Sequence, residues 1–145
     1  MKTQMIFRYV FLLSLLLFLT GCPYIEEYSN SGCLENSFSY NEDYPGCGED
    51  EVVATAEVNS INVTHLNSTY NCCPDDIEVA LAHQGSYLRL QEKEILTTPC
   101  DCLCCYNVET RVSGLQAGEY TLEYCWRDYE TLGESCKTVT VVVPN

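Results

Sequence analysis

Cysteine placement constrains this chain more than any other feature, because 11 of its 145 residues are cysteine and they are clustered. Cys100, Cys102, Cys104 and Cys105 fall within the stretch Thr97-Thr98-Pro99-Cys100-Asp101-Cys102-Leu103-Cys104-Cys105, and it answers an earlier pair, Cys72-Cys73. Neighbouring cysteines seldom bond to each other, because the ring they would close is strained. Each member of a pair must therefore reach a different segment. Cys72 and Cys73 are expected to be stapled to the Cys100–Cys105 run, and Cys33 and Cys47 to close a small loop of their own. Setting Cys22 aside leaves ten cysteines, an even number, and in an exported chain disulfides are the default use of such a set.

The first residues say that the chain is exported. Lys2 and Arg8 precede an apolar run from Val10 to Leu19, which has the length of a secretory signal and is short for a permanent membrane span. Leu19-Thr20-Gly21-Cys22 follows. This resembles the bacterial lipobox, where small residues precede a cysteine that receives diacylglycerol and becomes the new N-terminus. The resemblance implies a lipoprotein signal peptide at 1–21, a lipidated Cys22, and a location on the cell membrane. In a Gram-negative cell Pro23 suits the outer membrane or its periplasmic face. Removing 1–21 leaves five basic residues against 21 acidic ones, a net charge near −16. Nucleic acid is excluded as a partner, since phosphate contacts need Lys and Arg. Attraction to anionic lipid is excluded likewise, so the membrane is held through the N-terminal acyl chains.

Residues 22–50 read as an acidic, loop-rich tether, and 51–145 as a β domain. Val52–Val58, Ile61–Leu66, Ile77–Leu81, Tyr87–Gln91 and Cys102–Val112 carry strand-like alternation, with a longer-than-minimal turn expected around His83-Gln84-Gly85-Ser86. Tyr120, Leu122, Tyr124 and Trp126 share one face of a further strand, and Val139, Val141 and Val143 share one face of the last. These faces send Cys125 and Cys136 to the opposite side, where a hairpin would set them across from each other for a disulfide. About seven short strands without a helical period indicate an all-β sandwich. Leu115, Gly118 and Tyr120 in Gly114-Leu115-Gln116-Ala117-Gly118-Glu119-Tyr120 resemble the tyrosine corner of immunoglobulin-like and fibronectin type III domains. That resemblance implies an immunoglobulin-like sandwich whose Tyr120 hydroxyl bonds back to the preceding corner.

Chemistry has few handholds. No HExxH spacing, nucleophile elbow or phosphate-cradling glycine loop is present, and a convergent acid, base and nucleophile set is missing. The Cys-x-x-Cys within Cys102–Cys105 runs into strand-like sequence, not the helix N-terminus that thiol redox chemistry uses. His65 and His83 read as a surface or half-buried imidazole and a turn residue. The expected function is that of a lipid-anchored cell-envelope protein, not an enzyme and without a cofactor. Its sandwich would bind or support, meeting a protein partner through loops or a sheet edge. The alternative is a metal-binding lipoprotein holding Zn²⁺ or Cu⁺ with Cys72, Cys102, Cys104 and His65, since thiolate and imidazole suit those ions.

Overall fold

A computed structural model describes residues 22–34, 38–39, 47–128 and 132–145. Residues 1–21, where the signal peptide is expected, and residues 35–37, 40–46 and 129–131 lie outside the described residues. The chain folds into two stacked sheets, and no helix occurs among the described residues. The strands are β1 (Tyr24–Asn30), β2 (Phe38–Ser39), β3 (Glu51–Glu57), β4 (Ser60–Asn71), β5 (Asp76–Gln84), β6 (Tyr87–Ile95), β7 (Cys102–Ser113), β8 (Gly118–Arg127) and β9 (Glu134–Val143). One sheet has the order β1-β7-β4-β3, with β2 also on β7; the other has the order β5-β6-β8-β9. All seven strands expected between 51 and 145 are present, most of them longer than their alternation announces.

Alternation explains the sandwich. Ile61 and Val63 of β4, Leu88 and Leu90 of β6, Val108 and Val112 of β7, and Leu122 and Tyr124 of β8 point inward and are buried. Burying such side chains contributes about 1.5–3 kcal/mol each before conformational entropy is subtracted. The Tyr120 corner forms as the resemblance implies: the Gln116 backbone N–H donates to the Tyr120 hydroxyl at 3.1 Å, and Leu115 enters the core. One pairing departs from the usual antiparallel arrangement, since β6 and β8 run parallel, Leu88 beside Leu122 and Leu90 beside Tyr124. The second arm of the β5–β6 hairpin thus takes the inner position and leaves β5 at the edge. The hairpin turn is also tighter than its sequence suggested. Gln84 pairs with Tyr87, so only Gly85 and Ser86 connect the strands, with Gly85 at φ +59°. A glycine there meets the positive φ that two-residue hairpin turns require.

The stretch 22–50 is not simply a tether. Tyr24–Asn30 pairs antiparallel with β7 from Ser113 to Val108, and Phe38–Ser39 pairs with Leu103 and Cys102. This strand buries little; only Ile25 packs against the core. Its hold comes from the backbone ladder and from Arg111, whose guanidinium meets Glu26 at 3.0 Å and Glu57 at 2.9 Å. The sandwich therefore begins at Tyr24, just after Cys22. At that junction Gly114 has φ +80°, and a Cβ there would lie 2.7 Å from the Cys22 carbonyl oxygen. Only glycine gives both the turn and the close approach.

Candidate functional site

The cysteine system is built around β7, a central strand with neighbours on both sides. Successive residues of a strand face opposite ways, so Cys104 and Cys105 reach different segments. Cys104 bonds Cys33 and Cys105 bonds Cys47, with Cα separations of 5.4 Å in both cases. The expected Cys33–Cys47 loop is not formed. The N-terminal segment lies along the outer flank of β7, and that places each of its cysteines nearer to the central strand than to the other. Cys72 bonds Cys102 and Cys73 bonds Cys100, as the stapling of the two clusters requires. Cys125 and Cys136 oppose each other in the β8–β9 ladder and are joined, Cα to Cα 4.1 Å. Cys22 alone is unpaired, and it is exposed.

These pairings remove the ligands that the metal alternative needs. Cys72, Cys102 and Cys104 each sit in a disulfide, so none offers a thiolate. Among the described residues, two groups of side chains come close enough to encircle an ion, Cys72 with Cys73 and Cys100, and Glu123 with Cys125 and Cys136. Every cysteine in them is likewise bonded. His65 lies elsewhere, in a different setting from the half-buried one its sequence suggested. His83 is the exposed penultimate residue of β5, not part of the turn.

His65 is fully buried, and it belongs to a polar knot between the sheets. Its Nδ1 lies 3.1 Å from Oε2 of Glu92, which is 1 % exposed. The Tyr70 hydroxyl donates to Glu92 Oε1 at 2.5 Å, and the Tyr124 hydroxyl donates to Oε2. Tyr70 and His65 come from β4, Glu92 from β6 and Tyr124 from β8, so one carboxylate ties both sheets together. Trp126 covers the imidazole with ring centroids 4.4 Å apart. Asp50 Oδ1 stands 3.6 Å from Nε2, close enough to act as a charge. Burial works against a proton on His65, but the Asp50 and Glu92 carboxylates outweigh it and raise its pKa. Burial first, and then Glu92, push both tyrosines far above the ordinary phenol range, so both stay protonated as donors. The knot has a carboxylate, an imidazole and two phenols, yet His65, Tyr70 and Tyr124 are 0 % exposed. It presents none of these groups to a dissolved molecule.

The sequence carried a signal for this knot. Ile61, Val63 and His65 follow one inward register, as do Leu88, Leu90 and Glu92. A histidine and a glutamate continuing two buried faces must find each other or lose stability, since unpaired buried charge is costly.

No protein-family model, curated protein or solved structure matches this chain.

Proposed function

We propose that the protein is a lipid-anchored cell-envelope protein whose disulfide-stapled sandwich has a non-catalytic binding or structural role. The observation that carries this reading is the identity of the unpaired cysteine. Ten cysteines are consumed by five disulfides, and the one left over, exposed, is Cys22. It is also the cysteine that closes Leu19-Thr20-Gly21-Cys22. A thiol that nothing in the fold uses, at the position where the lipobox pattern needs a nucleophile, supports acylation there. Five disulfides favour an oxidising compartment, consistent with export. The non-catalytic part of the proposal rests on the closed polar knot, which joins the sheets and leaves no acid–base group open beside a nucleophile.

The test is the substitution Cys22→Ser in a bacterium supplied with labelled palmitate. Wild-type chain is expected to fractionate with membranes and carry label. The variant is expected to lose the label and to accumulate with residues 1–21 still attached. Label-free wild-type protein recovered in the soluble fraction would overturn the proposal.

A further inference from the structure

We infer that the sandwich stands on the bilayer by one particular end, the end formed by the β3–β4, β5–β6 and β7–β8 turns, with its disulfide-stapled end pointing away. The inference rests on the lipid anchor proposed above and adds the surface that meets the lipid. Between Cys22 and β1 there is a single residue, Pro23, and β1 pairs with β7 from its first residue, Tyr24 opposite Ser113. A chain that can reach only a few ångströms per residue gives an anchored Cys22 no freedom to let the domain tumble. Gly114 fixes the junction further by accepting the Cys22 carbonyl where no side chain would fit. The β7–β8 turn is tied to the β3–β4 turn, and the β5–β6 turn to the first residues of β8. The Leu115 N–H donates to the Asn59 carbonyl at 3.1 Å, and the Thr121 N–H to the Ser86 carbonyl at 2.9 Å. Cys22 and Pro23 lie on the rim of a cleft between these turns, lined also by Gly85, Gly118 and Tyr120.

The chemistry of this end fits a headgroup surface. Glu57 and Glu119 are the only acidic residues among 22–24, 57–60, 83–87, 113–119 and 142–145, and Glu57 is paired with Arg111. The opposite end carries Glu49, Asp50, Asp75, Asp76, Asp101 and Glu134. The ten residues of β8 hold the two ends about 30 Å apart, at ~3.4 Å per residue. That is several Debye lengths at physiological salt, about 8 Å each, so the acidic end is screened from anionic lipid in this orientation and repelled in the reverse one. The low-charge end also exposes Tyr24, Val58, Tyr87 and Val142, four of the seven large apolar residues exposed among the described residues. Tyrosine, with an apolar ring and a polar tip, suits the boundary between headgroups and water. All five disulfides lie toward the far end, so the stapled loops are the ones presented outward.

The lipidated chain, reconstituted in vesicles that contain phospholipid brominated near the top of its acyl chains, tests this. Val58→Trp and Val142→Trp each add an emitter at the proposed foot, and Thr98→Trp adds one at the far end, over the buried Trp126 of the wild type. With Cys22 acylated, the foot variants are expected to lose about half of their added emission to bromine, as shallow insertion implies, and the Thr98 variant to lose none. Inserting a Gly/Ser linker of about a dozen residues after Cys22 is expected to abolish the quenching at the foot. The intact mass of the same samples separates the two claims. An unmodified Cys22 would overturn both the anchor and the orientation. An acylated Cys22 with neither foot variant quenched, or with Thr98→Trp quenched equally, would overturn the orientation alone.

Discussion

Replacing Glu92 by glutamine should destabilise the fold by about 3 kcal/mol without creating a cavity. Glutamine has nearly the same shape, so packing between the sheets is conserved and only the hydrogen-bonding pattern changes. Glu92 accepts from Tyr70, Tyr124 and His65. An amide offers one oxygen and turns a donor toward the remaining partners, leaving at least one buried donor facing another. Bonds to a charged group contribute about 1 kcal/mol more than neutral ones, and a stranded buried donor costs about 1–3 kcal/mol. Breaking one side of a buried ion pair costs about 3–5 kcal/mol, which bounds the estimate from above.

The same substitution should change the pH dependence. His65 has a folded-state pKa raised above 6.5. Its contribution is therefore fully present below the unfolded pKa and is lost as pH rises through the folded one, which makes the wild type more stable at about pH 6 than at about pH 8. Removing the Glu92 charge leaves only Asp50 to hold the proton, so the slope should shrink. Urea unfolding of oxidised protein at both pH values, followed by the near-ultraviolet signal of Trp126, measures both effects. A loss below about 1 kcal/mol at pH 6 would refute the claim that one carboxylate ties the sheets.

Two further substitutions probe the frame. Breaking Cys125–Cys136, with separation 11, by double serine replacement should cost about 3 kcal/mol on the chain-entropy account, and breaking Cys33–Cys104 about the same despite its separation of 71, because Cys47–Cys105 still ties the same two segments one residue away on β7. A markedly larger loss at Cys33–Cys104 in denaturant titration would show that native packing at that bridge outweighs loop length. Gly114→Ala should cost about 1–3 kcal/mol and expose the Cys22–Tyr24 junction to protease, because the positive φ and the Cys22 carbonyl both exclude a Cβ. Wild-type stability and protease resistance in that variant would contradict the close approach.

Strands whose one face is buried were legible in the sequence, and so was the Leu115–Gly118–Tyr120 corner. Alternation in β4, β6, β8 and β9 records burial directly, and for the same reason it placed Cys125 and Cys136 across from each other. β1 escaped notice because Tyr24–Asn30 is an edge strand held by backbone pairing and Arg111, with almost no inward face to leave a pattern. The Cys33–Cys47 expectation failed because nearness along the chain stood in for nearness in space. Once β1 and β2 lie on β7, both cysteines meet Cys104 and Cys105 first. The order β5-β6-β8, with its parallel pair, has no local signature, since a hairpin reads the same whichever arm turns inward. His65 and Glu92 sat in visible inward registers, but their partnership needed the two sheets stacked.

One cysteine is set apart from ten others, and the intact mass of the mature protein from membranes, before and after alkylation in denaturant, measures that directly. The expected species is a chain beginning at Cys22 that carries acyl mass, lacks ten hydrogens to five disulfides and takes up no alkylating agent. A chain beginning elsewhere, with Cys22 alkylated, or a chain with several alkylated cysteines and bound zinc or copper, would contradict it.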